Sequence, residues 1–137
     1  MERQVSIVIL NHGRLGQELI ASAEMIIGKI SNIQAVSLLH GMSIEEFYKA
    51  ADQVISPMEG EVIILTDLFG GTPCNVAMML QRKYDIRVLC GMNLPMLIDL
   101  VNSRDMDLCG DVNELIGQAL ETAQTGIYEL PVYEAEE

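Results

Sequence analysis

Short apolar, β-branched runs alternate along this chain with longer stretches of helical periodicity, and that alternation restricts it to very few folds. Val5-Ser6-Ile7-Val8-Ile9-Leu10 is a nearly unbroken apolar run, the signature of a strand buried on both faces of a parallel sheet. Leu15 to Gly28 then sets Leu15, Leu19, Ile20, Ala23, Ile26 and Ile27 on one helical stripe, with Gly28 suited to the C-terminal cap. A weaker strand follows over Ile33 to Leu38, and Ser43 with Glu46 forms a capping box that opens the next helix. Val62 to Leu65 reads as the third strand. Beyond a glycine turn, Pro73 suits a first helical turn, and Asn75 to Tyr84 continues as a helix with Val76, Met79 and Leu80 inward. Met78 and Met79 are expected to pack in the core. Ile86 to Leu89 gives a fourth strand, Leu94 to Val101 a helix with Pro95 in its first turn, and Asp111 to Gln124 the last helix.

Such a series implies right-handed crossovers and an α/β sheet covered on both faces. At 137 residues, half of them hydrophobic, the chain suits one compact domain with a sizeable core. After Gly126 the pattern changes. Ile127 to Leu130 reads as a short edge strand, and residues 131–137, ending Glu134-Ala135-Glu136-Glu137, as an acidic tail. An edge strand at a chain end can pair within its own sheet or with a second chain, and the residues leave both open.

Charge narrows the partners. With 8 Lys+Arg against 20 Asp+Glu the formal net charge is -12, which disfavours nucleic acid and anionic membranes and suits a basic protein patch. Cys74, Cys90 and Cys109 form no CxxC pair and leave one thiol over under any disulfide scheme, which favours a reducing, cytoplasmic setting. The apolar run after the first residues is too short for a signal peptide or a membrane span. Neither the histidines nor the cysteines have zinc spacing, so no metal and no cofactor is expected.

The chemistry gathers at two strand ends, Asn11-His12-Gly13 and Asp67-Leu68-Phe69-Gly70-Gly71. If the first and third strands are neighbours, His12 and Asp67 emerge side by side at the carboxyl edge of the sheet, where α/β folds collect their reacting groups. A neutral imidazole is a nucleophile able to hold a phosphoryl group, and a carboxylate on its other nitrogen fixes the tautomer. Gly70, Gly71 and Thr72 open a helix, whose free N–H groups, with the Thr72 hydroxyl, suit phosphoryl oxygens. His40 is read as an ordinary loop residue.

Four ordered blocks carry a family resemblance: His12-Gly13 after the first strand, Ala23-Glu24-Met25-Ile26-Ile27-Gly28, Asp67 through Thr72-Pro73-Cys74-Asn75, and Gly91-Met92-Asn93-Leu94-Pro95-Met96-Leu97. Together they resemble the EIIA domain of the mannose-class (mannose/fructose/sorbose) sugar phosphotransferase system, over about residues 4 to 130. The resemblance implies a cytoplasmic phosphocarrier, residues 1–130, that accepts a phosphoryl group from phospho-HPr on His12 and passes it to a histidine of EIIB, expected on a separate chain. It also implies Asp67 as the residue orienting His12 and Thr72 where the family usually has a phosphoryl-binding serine. The implied fold is a three-layer α/β/α arrangement with a mainly parallel sheet and a C-terminal antiparallel edge strand exchanged across a homodimer, which would give Ile127 to Leu130 its purpose. Asn11, Thr72 and Cys74 depart from the commoner Ser, Ser and Phe. A regulatory module that signals through the same phosphohistidine is the alternative.

Overall fold

The structure, a computed structural model, describes residues 4–135. Its elements run β1 (Val5–His12), α1 (Leu15–Ile27), β2 (Ile33–Leu38), α2 (Ile44–Ile55), β3 (Glu61–Thr66), α3 (Thr72–Gln81), β4 (Ile86–Cys90), α4 (Leu94–Asp105) and α5 (Val112–Thr125). The four strands form one sheet in the order β2-β1-β3-β4, and every pairing is parallel.

The apolar runs become strands because both faces of the sheet are covered. Val5, Ile7, Ile9, Ile63 and Leu65 join a core with α1, α4 and α5, while Val8, Leu10, Val62 and Ile64 join another with α2 and α3. The three-layer α/β/α expectation holds. Successive residues of β1 serve opposite layers, so only its last residue, His12, comes out exposed. β1 pairs with β2 on one side and with β3 on the other, so the chain reverses its direction of travel across the sheet between these two strands. The crevice outside their carboxyl ends is where such folds place a site.

Helix boundaries follow local chemistry. Ser43 and Glu46 form the expected capping box at α2, and Gly28 closes α1 at φ +86°. α3 runs from Thr72 to Gln81, with Gly71 as its N-cap and Pro73 in the expected first turn, and it ends three residues short of the expected Tyr84.

Several expectations need correction. Leu15 and Ile26 are exposed, leaving Ala23 as the buried centre of the α1 stripe with Leu19, Ile20 and Ile27 packed at its margins. Met78 and Met79 also lie exposed, since the inner face of α3 is filled by Val76, Ala77 and Leu80. Ile127 to Leu130 forms no strand in the single chain, and the four-stranded sheet of the described residues has no antiparallel member. That segment joins neither edge of the sheet among the described residues, and its apolar side chains are exposed. Of the expected acidic tail, Glu136 and Glu137 lie outside the described residues, as do residues 1–3 of the expected domain.

Candidate active site

β1 ends on His12 and β3 one residue short of Asp67, so the parallel register delivers the two side chains to the same point of the sheet edge. Asp67 Oδ2 accepts from the backbone N–H of His12 at 2.9 Å and lies 2.9 Å from Nδ1 of the same residue. One carboxylate oxygen thus fixes both the main chain and the ring of His12. A carboxylate only accepts hydrogen bonds, so it selects the tautomer protonated on Nδ1 and leaves the lone pair on Nε2. The Asp67 side chain is 7% exposed and that of His12 46%, so the anchor is withdrawn from water while the ring remains reachable.

A second anchor lies beneath. Asn11 is fully buried, and its Nδ2 donates to the carbonyl oxygens of His12, at 3.1 Å, and Gly13, at 3.0 Å. Those bonds hold the turn that lets the chain leave the strand, where Gly13 adopts φ +58°. A Cβ on Gly16 would lie 2.3 Å from Asn11 Oδ1, so the glycine in the first turn of α1 makes room for the amide. In the sequence alone Asn11 is a departure from the commoner serine before the histidine. The signal available was its place next to His12 with a glycine five residues on, but only the fold brings the two into contact.

Gly71 is the third positioning element. Its φ of -84° is open to any residue, yet a Cβ there would stand 2.8 Å from Cε1 and 3.3 Å from Nε2 of His12. The glycine is needed because the ring lies against it. Nε2 therefore faces the mouth of α3, where the N–H groups of the first turn lack helical acceptors. Gly70 precedes it at φ +87°, and Thr72 is the first helical residue, half-buried at the same mouth. The structure brings His12, Asp67 and Gly71 into contact and places Gly70 and Thr72 beside them. His40 occupies the exposed turn after β2.

We expect Gly71→Ala to displace the ring from Asp67 and slow any reaction at Nε2 by about 10-fold or more, since displacement of a reacting group by a fraction of an ångström is enough for such losses. The ring can swing into solvent, so thermal unfolding should move little; single-turnover kinetics beside a melting curve separate the two effects.

The family model described as PTS system fructose IIA component matches residues 6–117. The chain belongs to the mannose-class EIIA family of the phosphotransferase system. The mannose-specific EIIAB component of Escherichia coli (strain K12) is 33% identical over 127 residues, which cover 90% of this chain. The EIIA chain spans only 38% of that relative's length. The fructose-specific EIIA component of Bacillus subtilis (strain 168) is 33% identical over 104 residues, covering 74% of this chain and 71% of the relative. Among solved structures, phosphotransferase system component EIIA from Streptococcus agalactiae superposes with a TM-score of 0.84 at 32% identity, covering 92% of this chain and 97% of that one. EIIA components of this family are phosphotransfer proteins, and no helix among the described residues of this one is long and apolar enough to cross a membrane.

Proposed function

We propose that this EIIA chain carries a phosphoryl group on Nε2 of His12, taking it from phospho-HPr and passing it to a histidine of EIIB in the cytoplasm. The observation that carries the proposal is the double engagement of Asp67 Oδ2 by His12, which leaves Nε2 as the one ring nitrogen with a lone pair, turned toward Gly71 and the mouth of α3. In the forward step the Nε2 lone pair bonds to phosphorus as the bond to the donor histidine of HPr breaks, and the donor nitrogen keeps its electron pair. The His12 ring, still protonated on Nδ1, becomes cationic, and Asp67 lies against that charge. Gly70, Gly71 and Thr72 receive the phosphoryl oxygens. Leu68 and Phe69, exposed beside the site, offer partner proteins an apolar rim.

The test is incubation with phosphoenolpyruvate, enzyme I and HPr. We expect one phosphoryl group per chain, stable in base and labile in acid, transferred onward when a matching EIIB is added. Absence of label with an active enzyme I and HPr overturns the assignment.

We further propose that residues 1–130 act as one phosphocarrier domain followed by an acidic tail at 131–137, and that Ile127 to Leu130 pairs with the sheet edge of a second chain. Ile127, Tyr128, Leu130, Val132 and Tyr133 are 69–90% exposed in the single chain. Burying each such side chain contributes about 1.5–3 kcal/mol. β2 and β4 are the two edges of the sheet, each with an unpaired row of backbone groups to offer. Deleting residues from Gly126 onward should convert a sedimenting dimer to monomer or aggregate. An unchanged dimer after truncation places the interface elsewhere.

A further inference from the structure

Next to the His12 site the fold brings together two cysteines that the phosphoryl chemistry does not use. Cys74 lies in the first turn of α3 and is buried, Cys90 ends β4 and is exposed, and their sulfur atoms stand 3.6 Å apart. Neither position alone suggests a pair, because 16 residues separate them in the chain. The juxtaposition follows from the parallel crossover, which returns α3 over the sheet so that its N-terminus meets the carboxyl end of β4.

We propose that Cys74 and Cys90 are a reversible redox pair, closing to a disulfide that ties the entry of α3 to the end of β4 and thereby slows phosphoryl acceptance at His12. A disulfide requires the sulfur atoms to approach to about 2.05 Å, so closure draws them together by roughly 1.5 Å. Both attachment points connect to the site. Cys74 follows Thr72 by two residues in the turn that Gly71 caps, and Gly71 touches the His12 ring. Cys90 is in register with Thr66, the residue before Asp67, and the Thr66 carbonyl oxygen accepts from the N–H groups of Gly91 at 3.0 Å and Met92 at 3.2 Å. A shift at this sulfur pair therefore reaches the glycine behind the ring on one side and the strand end that carries Asp67 on the other.

The oxidant is a low-molecular-weight disulfide. The sulfur of Cys90, the more exposed residue of the pair, attacks one of its sulfur atoms, forming a mixed disulfide and expelling a thiolate, which takes up the proton that Cys90 releases. Cys74 then attacks the Cys90 sulfur, its own proton going to the second departing thiolate. Two protein thiols are oxidised as one small disulfide is reduced to two thiols. Loss of water around the Cys90 sulfur pushes its thiol pKa up, with the Thr66 hydroxyl pulling the other way and Cys74 adding to the rise. Fewer thiolates at neutral pH mean slow closure, which should accelerate as the solution is made more basic. In a reducing compartment such a bridge is transient, as a sensor requires.

The experiment exposes the folded chain to oxidised glutathione at about pH 8.5, where the thiolate fraction is higher than at neutral pH, followed by acid quenching, denaturation, alkylation and mass spectrometry. The expected product has lost the mass of two hydrogens, carries one alkyl group, on Cys109, and yields a peptide joining Cys74 to Cys90 that dithiothreitol separates. Cys90→Ala, at an exposed position that leaves the core intact, should abolish the mass loss, and Cys74→Ala should leave glutathione held on Cys90. Alkylation of all three cysteines, or a persistent glutathione adduct on Cys90 in the unsubstituted chain, overturns the pair. The effect on phosphoryl acceptance rests on the carrier reading and is read separately. The reduced chain should accept label from HPr, and the bridged chain about 5-fold or more slowly, the scale of a small displacement of the reacting group. A bridge that forms without changing the rate overturns the coupling to His12, whereas a reduced chain that takes no label counts against the carrier reading and leaves the bridge standing.

Discussion

His12→Ala is expected to take no phosphoryl label from phosphoenolpyruvate, enzyme I and HPr while folding as the unsubstituted chain does. The loss should be complete because the His12 ring is the group that brings a nucleophilic nitrogen against Gly71 at the mouth of α3. Folding should survive because Asp67 Oδ2 keeps its 2.9 Å bond from the backbone N–H of residue 12 after the ring is gone. The removed side chain is 46% exposed, so the change in stability should stay within about 1 kcal/mol. His40→Ala is the matched control, an imidazole removed from an exposed turn after β2, and it should label as the unsubstituted chain does. Acid-labile label retained in His12→Ala would move the carrier to another residue, and equal losses in both variants would give His40 a part in the reaction.

Much of this arrangement was legible in the residue pattern because burial dictated it. The run from Val5 to Leu10 could persist only between two helical layers, and a polar Asn-His-Gly at its end marked where the sheet edge meets solvent. The same logic placed Asp67 after the third run. What the pattern could not supply was contact at close range. Gly71 reads as a turn residue in any sequence, and only the His12 ring 2.8 Å from its missing Cβ shows why a side chain is excluded. Asn11 likewise reads as a spelling variant until its amide is seen holding two carbonyl groups under the site. The misplaced helical side chains share one cause. Helical periodicity marks a stripe wider than the face a layer can cover, which put Leu15, Ile26 and Met79 inside when they lie exposed. For Ile127 to Leu130 the strand propensity is real, but a strand exists only when paired to an edge, and in the single chain the segment joins neither β2 nor β4.

Asp67→Asn should slow phosphoryl acceptance at His12 by about 10²-fold or more, the scale expected when a positioned charged group is removed from the transition state. The geometry says which property of Asp67 the substitution removes. Oδ2 receives two donors, the backbone N–H and Nδ1 of His12, so an asparagine must turn its carbonyl oxygen to that place and its NH₂ to the place of Oδ1. Oδ1 is buried without a hydrogen-bond partner among the described residues, so the swap exchanges one unpartnered group for another and should alter stability by no more than about 1 kcal/mol. Both anchoring bonds survive in this arrangement, and with them the tautomer that keeps the lone pair on Nε2. Only the negative charge is lost, and it matters when attack on phosphorus makes the ring cationic. The variant should therefore show the Nδ1-protonated ring by nitrogen NMR, label to completion at long times, and reach that end point slowly. Asp67→Ala removes the anchor as well as the charge and should be slower still. If Asp67→Asn matches the unsubstituted rate, the carboxylate is a structural tie for the end of β1, and stabilisation of the phosphorylated ring must be sought among the N–H groups at the mouth of α3.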